Sequence, residues 1–223
     1  MQGSFARAVS SASVGIALVV IFGTLAIIGH ETKRRWLLAL AKPIATASLL
    51  LIVGPPPTFI VEKLIAFGII FSIIGDAFLV AEGDKAFFAG TGAFLTAQLL
   101  YAAAFWALRA PGRPVTPVAA VVVVVSALLV ASLWRGAGAM RPAVAFYAVA
   151  ITLMVSTALG TVGGPMNPTA AICAAAGAVL FYISDATLAW DKFKRPVRHS
   201  SFVTMGVYWV GQIGIALAAR MST

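Results

Sequence analysis

Eight apolar runs, each close to the length that crosses a bilayer, divide this sequence and limit its fold more than any other feature. They lie at about Ser13–Gly29, Trp36–Val53, Leu64–Ala81, Phe87–Leu108, Val115–Trp134, Pro142–Gly160, Pro168–Trp190 and Ser201–Ala219. A membrane-spanning helix needs ~20 largely apolar residues. The runs are continuous rather than alternating. That favours helices, which satisfy their own backbone groups, over a barrel. The connections, such as EGDKAF, RAPGRP and GGPMNP, are short, so consecutive helices are expected to be antiparallel neighbours. The expected fold is all-α: residues 1–223 form one polytopic membrane domain of eight transmembrane helices, with no room for a soluble domain. The first run is longer than the apolar core of a cleaved signal peptide and reads as a span.

Composition excludes the soluble alternative. Hydrophobic residues make up 61% of the chain and charged residues 10%, whereas a soluble domain carries about a quarter charged. The net charge of +9 would suggest nucleic acid in a soluble domain. Here nearly all the cations fall in interhelical loops, where they set orientation and meet anionic headgroups. The expected partner is therefore the lipid bilayer and not nucleic acid. The loops after spans one, three, five and seven carry Lys33, Arg34, Arg35, Lys85, Arg135, Arg141, Lys192, Lys194, Arg195 and Arg198. The opposite side carries Arg7, Lys63, Arg109, Arg113 and Arg220. The positive-inside rule then places the odd loops in the cytoplasm and both termini outside, in a multi-pass protein of the inner cell membrane.

An internal similarity links two spans. IIGDAFLV (Ile73–Val80) is echoed by YISDATLA (Tyr182–Ala189), which allows a division into two four-helix halves of parallel topology. Each segment places an aspartate inside a span, and span two adds Lys42. An ionisable group at the bilayer centre costs about 2.5–3.5 kcal/mol on insertion scales and marks function by default. Lys42, Asp76 and Asp185 lie at one depth, with Tyr147 and Tyr208 level with them and Gln98 and Gln212 a turn deeper. Ser72 and Asp76 are four residues apart, Tyr208 and Gln212 likewise, and Gln98 and Tyr101 three, so each pair shares a helix face. Tyr182 and Ser184 flank Asp185. The expectation is a polar cavity that opens towards the cytoplasm. A purely structural role is the alternative: Lys42 could tie helices through one aspartate. That leaves a second carboxylate without a cation, and such a group holds a proton instead. One ionised and one protonated carboxylate is the arrangement acid–base chemistry uses.

Other constellations are weaker. His30 and His199 sit at span borders without a Cys or acidic cluster, so no metal is expected. Cys173, the single cysteine, lies in AAICAAAGAV with no activating base and reads as a packing residue. Ser72 and Ser184 have no intramembrane His to complete a triad. Trp36, Trp106, Trp134 and Trp190 lie near span ends as interface anchors.

Lys42-Pro43, FSIIGDAFL in span three, LFYISDATLA in span seven and YWVGQIGIAL in span eight together resemble the lysoplasmalogenase (YhhN-like) family of eight-span membrane proteins. The resemblance covers nearly the whole chain in order and spacing. It implies hydrolysis of the vinyl ether bond of a lysoplasmalogen to a fatty aldehyde and glycerophosphoethanolamine or glycerophosphocholine. By position it marks Lys42, Asp76, Tyr101, Asp185, Tyr208 and Gln212 as site residues. Vinyl ether cleavage begins with protonation of the outer carbon and continues with water capture of the oxocarbenium-like ion. Two aspartates supply both steps with no cofactor. Asp185 is expected as the base, kept ionised by Tyr182, Ser184 and Lys42, and Asp76 as the acid. Lys42 could instead meet the substrate phosphate, and Arg34, Arg35, Lys194 and Arg198 could draw lipid in. Two other classes compete: a proton-coupled transporter using the aspartate pair, and a non-catalytic lipid-binding or assembly factor.

Overall fold

The computed structural model describes residues 2–54, 59–109, 117–197 and 200–222, with side chains described from residue 11 onward. Arg113, Arg198 and His199, and the side chain of Arg7, lie outside the described residues, as does the expected start of span five at Val115.

Among the described residues the regular elements are helical. They are α1 (Gln2–Glu31), α2 (Arg35–Ala47), α3 (Leu49–Val53), α4 (Ile60–Val80), α5 (Asp84–Leu108), α6 (Pro117–Leu133), α7 (Arg141–Leu159), α8 (Pro168–Phe193) and α9 (Ser200–Met221). Helices α2 and α3 form one span interrupted at Ser48, whose hydroxyl donates to the Ile44 carbonyl (2.8 Å). Counting them together, seven helices among the described residues are long and apolar enough to cross a membrane, and α6, where the fifth of the eight spans is expected, is a shorter apolar helix of 17 residues. The chain is a multi-pass helical membrane protein. Val121, Leu128, Phe146 and Val149 are each more than half exposed. In this setting they face lipid, which is as apolar as they are.

Small residues decide how closely the helices approach. Gly68 of α4 faces the ring of Tyr101 on α5, Gly75 faces Phe94, and Gly90 of α5 faces Leu79, three pairs in one antiparallel register. A Cβ on Gly75 would stand 2.6 Å from the Phe94 ring, so α4 seats that ring only because it is notched there. Helices α8 and α9 meet backbone to backbone: a Cβ on Gly177 would lie 2.6 Å from the Gly211 carbonyl. Without hydrophobic drive between helices in lipid, such close packing holds the pair together. Cys173 is partly buried in this seam, its carbonyl against Gly214.

Neighbour relations match the short-loop expectation with one exception. Helix α5 packs on α4 and α7, and α6 packs on α7 and α8 instead of on α5. The connection of residues 109–116 is long enough, at ~3.3 Å per extended residue, to step over a helix ~10 Å across. At the span ends Arg109 stacks on Trp106 (3.9 Å), Arg141 on Trp134 (5.7 Å) and Lys194 on Trp190 (5.5 Å). Each of these expected interface tryptophans thus holds a cation at headgroup level.

Candidate functional site

The polar residues converge into two clusters. The first centres on Asp76 of α4, which is 1% exposed. Its Oδ1 lies 3.2 Å from the Lys42 ammonium. Its Oδ2 accepts from the Tyr208 hydroxyl (3.0 Å) and from Thr46. Lys42 and Thr46 are four apart on α2, so both reach the same carboxylate. The Trp209 indole N–H donates to Thr46 (3.2 Å) and fixes that hydroxyl. Behind Tyr208, the Gln212 amide donates to the Tyr208 and Ser72 hydroxyls (3.3 and 3.0 Å) and accepts from Tyr101 (2.9 Å).

The second cluster centres on Asp185 of α8. Its Oδ2 accepts from the Gln98 amide of α5 (2.9 Å) and from the Tyr147 hydroxyl of α7. Both donors address one oxygen, which leaves Oδ1 to the cavity. The amide oxygen of Gln98, Oε1, is buried with no partner. Asp185 has no cation in contact, although Lys42 and Asp76 are near enough to act on it electrostatically. Between the clusters stand aromatic rings packed edge to face, Phe94, Phe181 and Tyr208, with centroids 5.4–6.1 Å apart.

Two cavities meet at Asp185. One is a polar vestibule reaching the face that carries Lys33 and Lys192, with His30, Lys42, Asp76, Asp191 and Tyr208 in its walls. The other is a partly open apolar chamber bounded by α5, α6, α7 and α8, with Tyr147, Leu129, Ile151 and Tyr182 in its walls. Asp185, Leu79, Phe87, Phe94 and Leu188 line both. An amphiphile with its head in the vestibule and its chain in the chamber would place the bond between them at Asp185.

The candidate residues sort by this geometry. Lys42, Asp76, Tyr147, Tyr182, Ser184, Asp185 and Tyr208 line a cavity. Ser72, Gln98, Tyr101 and Gln212 are fully buried behind it and hold the residues that line it. Ser184 uses its hydroxyl on the Thr204 carbonyl (2.8 Å), and Tyr182 bonds Ser126 (3.0 Å), which also accepts from Thr152 (2.7 Å). The expected assignment of Asp185 as the cation-supported base therefore fails in its premises: Lys42 contacts Asp76, and Tyr182 and Ser184 bond elsewhere. Thr46 and Ser126 escaped the sequence reading. Thr46 carried a signal in its four-residue spacing from Lys42, whereas Ser126 sits in a run of valines that reads as plain span. Among the described residues no cluster of three His, Cys, Asp or Glu side chains could hold a metal.

The sequence matches the YhhN family over residues 37–219. It is 36% identical to lysoplasmalogenase TMEM86A of Bos taurus over 68% of this chain and 63% of that protein. It is 30% identical to lysoplasmalogenase TMEM86B of Homo sapiens over 86% of this chain and 79% of that protein. It is 33% identical to lysoplasmalogenase TMEM86B of Sus scrofa over 68% and 61%. The match thus spans a little over three fifths of the first of these relatives. No solved structure matches it.

Proposed function

From the premise that the chain belongs to the YhhN family, we propose that it is a membrane-embedded hydrolase. It cleaves the vinyl ether bond of a lysoplasmalogen to a fatty aldehyde and a glycerophosphoethanolamine or glycerophosphocholine. The observation that carries this reading is the position of Asp185 at the boundary between an apolar chamber and a polar vestibule. A lysoplasmalogen has one chain and one polar head, and its vinyl ether lies where the two join.

The two carboxylates differ in what they touch, and the difference supports different roles. Asp76 has a cation at 3.2 Å and two hydroxyl donors on one oxygen, so it is the ionised partner. Asp185 has no cation in contact and one oxygen facing the cavity, so it carries the proton. Asp185 transfers that proton to the outer vinyl carbon, and the ether oxygen becomes part of an oxocarbenium ion. The Asp76 carboxylate stabilises the positive charge across the pocket. Water adds to the carbon bearing oxygen, and its proton returns to the Asp185 carboxylate. The hemiacetal then collapses: Asp185 protonates the glycerol oxygen, the C–O bond breaks, and the Asp185 carboxylate takes the hydroxyl proton as the aldehyde leaves, which restores the starting state. Lys42, committed to Asp76, supports this charge pattern instead of acting as a dedicated phosphate ligand.

The loop cations favour an orientation with the vestibule on the cytoplasmic side of the inner membrane and both termini outside. The reading is tested with purified protein in lipid nanodiscs and a lysoplasmalogen panel, measuring free aldehyde. Aldehyde release that disappears in Asp185→Asn is expected. No release by the wild-type chain from ethanolamine or choline lysoplasmalogens would overturn the proposal.

A further inference from the structure

Outside the chamber, α5 and α7 form a groove on the lipid-facing surface, walled by Leu95 and Leu99 on one side and Phe146, Ala150 and Leu153 on the other. The groove and the chamber share three residues, Phe88, Thr91 and Ala143, so only the seam between those side chains separates them. The seam is thin. Ala143 is small, and the Thr91 hydroxyl is turned back onto its own helix, bonding the Phe87 carbonyl (2.8 Å). Phe88, which flanks it, is 60% exposed. At the floor of the groove is Gly92, where an added Cβ would meet nothing within 4 Å. The two helices run parallel here, and each begins with an exposed cation, Lys85 on α5 and Arg141 on α7.

We infer that the substrate reaches Asp185 sideways from the bilayer, its single chain lying first in the α5–α7 groove and then passing the Thr91–Ala143 seam into the chamber. The occupant is a single-chain phospholipid, and the inference rests on the reading of the site as one for a lysolipid. Two observations favour that occupant. The groove is continuous with a chamber ending at a buried carboxylate, and cations stand at its mouth at the level where a phosphate rides. Upright in its leaflet, such a lipid keeps its head on the vestibule side throughout and drags no polar group across the apolar walls, a step that would be costly.

The test uses the full chain in phosphatidylcholine nanodiscs and a probe that cannot be hydrolysed, a saturated alkyl-ether lysophosphocholine with a diazirine at the chain end. Photolysis followed by peptide mapping is expected to label groove residues of α5 and α7 and chamber residues such as Leu129 and Val130. Gly92→Leu puts a side chain into the groove from a position where its Cβ meets nothing within 4 Å, and should cut chamber labelling about tenfold, in line with the cost of overpacking by a few methylenes. Ala143→Phe, which plugs the seam itself, should do the same while groove labelling persists. Gly206→Leu is the matched control, a helical glycine on α9 whose Cβ also meets nothing, and should leave labelling unchanged. Chamber labelling in both plugged variants equal to wild type, or labelling confined to the vestibule rim, would overturn the route. Labelling needs no turnover. A wild-type protein that is labelled in the chamber but releases no aldehyde would overturn the hydrolase and leave the route standing.

Discussion

Replacing Lys42 by Met removes the cation 3.2 Å from Asp76 and leaves a carboxylate that is 1% exposed. Breaking a buried pair from one side costs about 3–5 kcal/mol, because the remaining charge is uncompensated. The reverse change is milder. Asp76→Asn leaves Lys42 without its partner, but Lys42 lines the vestibule and its long stem can turn the ammonium towards water. The Asn oxygen also keeps its two donors, since Thr46 and Tyr208 both bond the same atom of Asp76. The cost expected for Asp76→Asn alone is about 1–2 kcal/mol, near that of one unmade buried bond. In the double variant the introduced methionine packs beside an uncharged Asn, and stability should return to within about 1 kcal/mol of wild type, as replacement of buried ion pairs by uncharged groups often does. The coupling between the two sites is then about 3 kcal/mol or more.

The single cysteine offers the assay. Cys173 is partly buried in the α8–α9 seam, so a thiol-reactive dye reports the opening of that seam on heating. At about 2–4 °C per kcal/mol for a chain of this size, Lys42→Met should melt about 6–20 °C below wild type, and the double variant close to it. Aldehyde release should be lost in both variants that lack the Asp76 charge, the stable double variant included, which separates the carboxylate's chemical role from its structural one. Additive losses, with the double variant as unstable as the two singles combined, would refute the reasoning. So would full activity in the double variant.

Further outcomes follow from single contacts. Asp185→Asn removes the proposed proton donor but keeps an oxygen for Gln98 and Tyr147, so turnover should fall about 10²–10⁴-fold while the melting temperature, read by circular dichroism, changes little. Thr46→Val breaks both the bond to Asp76 and the acceptor of the Trp209 indole. It should destabilise by about 1–3 kcal/mol and lower kcat more than it raises KM, as steady-state kinetics would report. Gly177→Ala drives a Cβ to 2.6 Å from the Gly211 carbonyl and should melt the chain well below wild type in the same dye assay, whereas Gly206→Ala should not.

The helical membrane architecture was legible because a bilayer demands length and continuous apolarity, and both are linear properties of the sequence; of the eight expected spans, seven are helices long enough to cross among the described residues and the fifth, α6, is shorter. The pairing of spans was less so. Chain order suggests that α5 and α6 touch, but α7 stands between them, and nothing along residues 109–116 announces it. The notches that set helix approach, Gly68, Gly75 and Gly177, are visible as glycines, but a sequence does not say which ring or backbone each one admits. Depth was readable too: Lys42, Asp76, Asp185, Tyr147 and Tyr208 do line connected cavities, because distance along a helix is depth in the membrane.

Rotation about each helix axis is what the sequence left open, and it decides the chemistry. Asp76 and Asp185 occupy matching places in two similar segments, GDAFL and SDATL, so along the chain they look interchangeable. They are made different by what the other helices turn towards them. Helix α2 points Lys42 and Thr46 at Asp76, while α5 and α7 offer Asp185 only an amide and a phenol. Tyr182 and Ser184, one turn or less from Asp185, face Ser126 and the Thr204 carbonyl instead. Local spacing therefore gave Asp185 neighbours whose hydroxyls bond elsewhere. If the two segments descend from one repeated unit, the proposed division of roles rests on a single added cation on α2, in contact with Asp76 and not with Asp185. Moving that cation should then move the roles.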